Sequence, residues 1–144
     1  MGDKGIERRL CQRFKIPGST ISYRREKLFS AQTGFSDEFC PVLDISRGGV
    51  RFLTQKPLKI KSKVVLQISI PGERIPLILR GRVRWSSFNP GKSYKYQTGV
   101  QFNPYGEEKS QNYPGNLVKI IALEQKFSEP TNSEGGDKAS EFSI

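Results

Sequence analysis

Between residues 13 and 103 the chain alternates apolar and polar positions in short runs separated by glycine and proline. That is the pattern of half-buried strands rather than helices. Pro17-Gly18 precedes Thr20-Ile21-Ser22-Tyr23, and a second run from Phe39 to Ile45 stops at a turn over Ser46 to Gly49. Val50 and Phe52 continue beyond it. Val64, Leu66, Ile68 and Ile70 alternate with Val65, Gln67 and Ser69 before Pro71-Gly72 turns the chain. Leu77, Leu79, Gly81, Val83 and Trp85 then share one parity, and Arg80, Arg82 and Arg84 the other. A strand with a buried face ending in Trp85 and a cationic opposite face is expected. Tyr96, Thr98, Val100 and Phe102 form the last run. Intervals of about ten to fifteen residues between runs favour antiparallel connections. The expected fold is mainly β, a small antiparallel barrel of about six strands.

After Pro114 the period changes. Leu117, Ile120, Ile121, Leu123 and Phe127 fall on a helical stripe, whose apolar face is expected to plug one end of the barrel. Residues 128–144 are rich in Ser, Glu and Gly without a hydrophobic period, and read as a disordered tail. The division is a flexible basic N-terminal arm over 1–12, a barrel with a C-terminal helix over 13–127, and an acidic tail over 128–144. Segment 26–38 fits either a loop or an extension of the preceding strand.

Charge sharpens this picture. The tail holds four acidic residues and one lysine, net −3, so the +10 of the 144-residue chain becomes +13 over residues 1–127. A field of that sign favours an anionic partner: nucleotide, nucleic acid or membrane surface. No run approaches the roughly 18 apolar residues of a spanning helix, so membrane insertion is not expected. The start of the chain lacks the apolar core of a signal peptide. Met1-Gly2 is followed by Ile6 where myristoylation needs Ser or Thr. Cys11 and Cys40 make no disulfide framework, and the expected setting is cytoplasmic, with reduced thiols.

Enzyme chemistry finds little support. The chain has no histidine, which removes the commonest general base and metal ligand. Two cysteines without histidine make no zinc site, and no carboxylate pair is placed by local spacing. Gly91-Lys92-Ser93 imitates part of a P-loop, but Ser86 stands where the first glycine belongs, and a strand follows instead of a helix. The chain reads as a binding protein rather than an enzyme, with no metal and no cofactor.

Two polar motifs remain. Arg8, Arg9 and Arg13 lie in Glu7-Arg8-Arg9-Leu10-Cys11-Gln12-Arg13, and Asp44-Ile45-Ser46-Arg47-Gly48-Gly49 closes one strand and opens the next. Taken singly, the first reads as a solvated basic segment and the second as an ordinary turn. Taken together they suit a guanine nucleotide. Guanidinium forks bind phosphates and the O6/N7 edge of guanine, while a carboxylate and a hydroxyl accept from its N1 and N2.

Their order, with strands between them and Gly81-Arg82-Val83-Arg84-Trp85 and Gly99-Val100-Gln101-Phe102 following, resembles the PilZ family of bacterial cyclic di-GMP receptors. The resemblance covers about residues 7–125, with a longer segment between Tyr23 and Phe39 than compact members have. It implies that Arg9 and Arg13 grip phosphate and guanine, and that Arg8 is the additional arginine of some members. Asp44 and Ser46 would read guanine, and Gly49 would admit close backbone approach. Trp85 would either stack on a guanine or pack in the core. It further implies that ligand orders the arm, that two ligands bind per chain, and that a separate, unidentified partner protein receives the signal. The alternative from the residues alone is a basic barrel for single-stranded nucleic acid, using Arg80, Arg82, Arg84, Tyr94 and Tyr96. That reading leaves the Asp-Ser-Gly turn without a role.

Overall fold

The structure, a computed structural model, describes residues 12–26, 35–36 and 38–128. The expected arm up to residue 11 and the tail from 129 onward lie outside the described residues. Among the described residues there are six strands: β1 (Thr20–Arg25), β2 (Cys40–Ile45), β3 (Gly49–Thr54), β4 (Lys63–Ser69), β5 (Leu77–Phe88) and β6 (Tyr96–Phe102). They close into a barrel in the order β1-β2-β3-β6-β5-β4, every pair antiparallel. One helix follows, α1 (Pro114–Phe127).

The barrel closes because each strand offers one apolar row. Ile21, Phe52, Val64, Leu66, Leu79 and Val83 are fully buried in a single core cluster. Burying each such side chain contributes about 1.5–3 kcal/mol. Gly18 and Gly72 turn the chain at φ 81° and 90°, where a Cβ would be strained. Pro114 opens α1, where its missing N–H costs no helical bond. Ile120 and Leu123 of the helix join the barrel's core cluster, and Phe127 packs against it.

Of segment 26–38, only residues 26, 35, 36 and 38 are among the described residues. Ser36 returns to β1, its N–H donating to Tyr23 O at 2.8 Å, while Glu26 N–H donates to Lys63 O at 2.9 Å. The thiol of Cys40 is pushed up to about 12, first by burial and then by the charge and hydrogen bond of Glu38. It packs as a small apolar group.

On the cationic row of β5, Arg80 donates to Glu26 at 2.9 Å. One expectation needs correction. Trp85 does not continue the buried row of Leu77 to Val83; it is only half-buried. The cause is a slip in register. Val83 pairs with Val100, but Trp85 pairs with Gly99, leaving Arg84 unmatched between them. A bulge of one residue reverses the facing of everything beyond it.

Candidate functional site

A second bulge lies on β2. Val42 pairs with Phe52 and Asp44 with Arg51, so Leu43 is the unmatched residue. Without the slip, Asp44 would follow Cys40 and Val42 into the core. With it, Ile45 turns inward, 1% exposed, and Asp44 faces outward beside Arg51. The two bulges thus aim Asp44 and Trp85 at the same outer surface, across β3 and β6.

That surface is a cavity of about 300 Å³ lined by Arg13, Ser46, Gly48, Gly49, Arg51, Arg84, Trp85, Gly99 and Gln101, among others. Its floor is made shallow by glycine. A Cβ on Gly99 would overlap the indole of Trp85, so the ring lies directly on the β6 backbone. A Cβ on Gly49 would sit 2.5 Å from Val100 O. The neighbouring strand therefore requires glycine at 49 whatever the cavity holds.

Arg13 reaches the cavity through the residue after it. Phe14, 4% exposed, is plugged into the core and exchanges both backbone hydrogen bonds with Ile45 at 2.9 Å. This anchors the root of the N-terminal segment beside Asp44. Arg13 Nη1 donates to Asp44 Oδ1 at 3.1 Å. Arg51 Nε donates to the two carboxylate oxygens at 3.0 and 3.1 Å, and Arg51 Nη2 also donates to Oδ2. A carboxylate offers about four lone-pair directions, so Asp44 is close to saturated. Burial pushes its carboxyl up, but the bond and charge of Arg51 and the charge of Arg13 outweigh that and hold it below the usual carboxylate range. Arg51 is correspondingly raised, chiefly by its bond to Asp44.

Ser46 serves the turn as well as the cavity wall. Its Oγ accepts from Gly48 N–H at 3.3 Å, and its own N–H donates to Gly49 O at 2.8 Å. The turn is braced from behind by α1, where Arg47 Nε donates to Glu124 Oε1 at 2.9 Å. Tyr105 Oη donates to Arg47 O at 2.7 Å. Arg84, the unmatched residue of β5, donates to Gln101 Oε1.

Of the residues expected from sequence, Arg13, Ser46, Gly49 and Trp85 line the cavity, and Asp44 holds two of its arginines. Arg8 and Arg9 lie outside the described residues. Core packing of Trp85, one of the two expected roles, does not occur. Arg51 and Gly99 receive no role from the sequence, and Arg84 appears there only as part of the cationic face shared with Arg80 and Arg82. Arg51 stands two positions beyond Gly49, on the same face of β3, which is the signal that identifies it. Arg84 and Gly99 become legible only once the β5 bulge is known. Among the described residues the cavity wall carries three guanidiniums and is served by one carboxylate, a local excess of two positive charges. No cluster of potential metal ligands occurs among the described residues, and no described helix is long and apolar enough to cross a membrane.

Comparison with known proteins adds the following. The family pattern described as the PilZ domain matches residues 7–115. No curated protein matches. Among solved structures, the chain is similar to one titled "Structure of Bacillus subtilis Inhibitor of motility (MotI/DgrA)", with a TM-score of 0.58 and 16% identity. The match covers 83% of this chain and 50% of that one, so this chain spans half the length of that structure. At this identity the likeness is one of fold.

Proposed function

This chain belongs to the PilZ family, whose members are cyclic di-GMP receptors, and from that premise we propose that it binds cyclic di-GMP in the cavity between Arg13 and Trp85. The observation that carries the reading is the local excess of two positive charges beside an indole packed against Gly99. A cyclic dinucleotide brings two phosphate charges and purine faces that stack on an indole. Arg9 and Arg13 take phosphate and the O6/N7 edge of guanine, Asp44 and Ser46 take N1 and N2, and Trp85 stacks.

Binding is an exchange. The lone pairs of Asp44 are filled by Arg13 and Arg51, so guanine donors displace at least one of those bonds. Arg13 is the side chain that leaves. It is 56% exposed, and a phosphate offers it an equal partner. The arm that carries Arg8 and Arg9 folds over the ligand as its charges are neutralised, and part of the binding energy goes into that ordering. The ordered arm presents a new surface to a separate partner protein in the cytoplasm. Arg8 supplies the further cation needed for a second, intercalated ligand.

Calorimetry tests the reading. Cyclic di-GMP is expected to bind with two ligands per chain, falling toward one in Arg8→Leu. Cyclic di-AMP, which offers N6–H₂ where guanine offers O6, is expected to bind far more weakly. Equal affinity for the two dinucleotides overturns base reading at this site. One ligand per chain in both proteins overturns the role of Arg8.

A further inference from the structure

Beyond Arg84 the outer surface continues into a second, larger cavity of about 520 Å³, lined chiefly by Lys61, Arg82, Arg84, Gln101, Asn103 and Pro104. Arg84 and Gln101 line both cavities, so the two adjoin at these side chains. Among the described residues, no carboxylate lines this groove. Glu26 borders the adjoining depression beside Lys63 and Arg82, and is already paired with Arg80.

Lys61 sits at φ 74°, the only described non-glycine residue at positive φ. Its backbone is pinned there by Lys61 N–H donating to Val83 O at 2.7 Å, while Val83 N–H donates to Ser62 O at 3.0 Å. A glycine would relax this position, yet a lysine occupies it. Arg82 is exposed, and across the groove it makes no ion pair with any described residue.

We propose that this groove is a docking site for an acidic peptide segment of a partner protein, and that cyclic di-GMP weakens the docking through Arg84. The first part rests on the groove alone; the coupling rests on the nucleotide reading given above. The groove offers an arginine fork and a lysine to carboxylates. It lacks what a single nucleic-acid strand requires, because its one aromatic residue, Phe102, is 5% exposed and faces the core. Arg84 cannot serve two anions fully. A nucleotide phosphate that draws it inward removes one of the groove's three cations, and by linkage the peptide weakens the nucleotide by the same factor.

The test is fluorescence anisotropy of a labelled peptide of alternating glutamate and serine on the full chain. Wild type is compared with the Lys61→Gly/Arg82→Gln double variant, with and without cyclic di-GMP and with oligothymidylate as competitor. Lys61→Gly relaxes its backbone and Arg82 is at the surface, so the variant is expected to fold, which an unchanged melting curve verifies. The peptide is expected to bind wild type, to bind the double variant at least about tenfold more weakly, and to lose about fivefold when cyclic di-GMP is added. Failure of the peptide to bind wild type, or equal binding to both proteins, overturns the docking site. Binding of oligothymidylate in place of the peptide, lost in the double variant, also overturns it in favour of nucleic acid. Peptide binding that depends on Lys61 and Arg82 but ignores cyclic di-GMP overturns the coupling alone. If calorimetry then shows no nucleotide binding at all, the nucleotide reading fails and the docking site stands.

Discussion

β4 runs between β1 and β5 matched to each over six consecutive residues without a slip, whereas β2 and the far half of β5 each lose one residue of register. On the regular side, alternation holds to the end of every strand, and its inward row is Ile21, Val64, Leu66, Leu79 and other apolar groups. On the slipped side, the same alternation would bury Asp44 and Trp85. The bulges turn both to the outer face, Trp85 onto Gly99 and Asp44, still 5% exposed, beneath Arg13 and Arg51. Regular pairing builds the core, and the interruptions build the site. Stability and recognition are therefore expected to separate under mutation, because they draw on opposite faces of the barrel wall.

The largest expected effect tests the regular side. Leu66→Ala removes a fully buried side chain and is expected to cost about 2–5 kcal/mol of stability in a denaturant or thermal melt. Its affinity for cyclic di-GMP, measured where the variant is still folded, is expected to stay at the wild-type value. Lost affinity in a folded Leu66→Ala protein breaks the separation.

Next come the two charged residues of the slipped side. Arg13→Ala and Asp44→Ala are each expected to weaken cyclic di-GMP by about 2–3 kcal/mol, or roughly thirtyfold to a hundredfold, in calorimetry. Arg13→Ala is expected to leave the melting midpoint almost unchanged. Its ion pair is largely exposed, and such pairs contribute under about 1 kcal/mol. Wild-type affinity in both variants contradicts the site.

Gly99→Ala probes the floor. The new methyl group must lift the indole of Trp85, so the emission of this single tryptophan is expected to shift and nucleotide affinity to fall about tenfold, near 1.4 kcal/mol. An unchanged spectrum means that the ring does not lie where the bulge puts it.

The smallest effect is that of pH. Asp44 has its carboxyl depressed in the folded chain, so its contribution is present above the unfolded carboxylate value and disappears as pH falls through the lower, folded one. Affinity and stability owed to Asp44 are expected to be flat from about pH 8 to 5 and to decline only below about pH 4. A titration that bends near neutrality points to some other group.

The barrel was legible in the sequence because strands of period two declare their inner row wherever register is kept. The row Val64, Leu66, Ile68 and the row Leu77 to Val83 are both found buried. The same rule misplaced Trp85, since a bulge is one unmatched residue and Arg84 carries no mark of being it. The Asp-Ser-Gly turn was readable as chemistry because its residues are few and specifically spaced. The grip of Arg51 on Asp44 was not, because it exists only once Leu43 has slipped and the two residues stand opposite each other. Arg84 shows the same dependence. Its parity placed it with Arg80 and Arg82, yet the structure gives Arg80 to Glu26 and leaves Arg84 between two cavities.

The central claim is that the bulged face, and not some other basic surface, receives a guanine dinucleotide. Trp85 reports on it directly, being the chain's one tryptophan and part of the cavity wall. Titrating cyclic di-GMP into the full chain while following tryptophan emission is expected to give a saturable quench as guanine stacks on the indole. Cyclic di-AMP is expected to give little change over the same range, and Arg13→Ala to shift the midpoint roughly thirtyfold or more. Calorimetric binding of cyclic di-GMP that leaves the emission of Trp85 untouched, or an equal quench by both dinucleotides, contradicts the account.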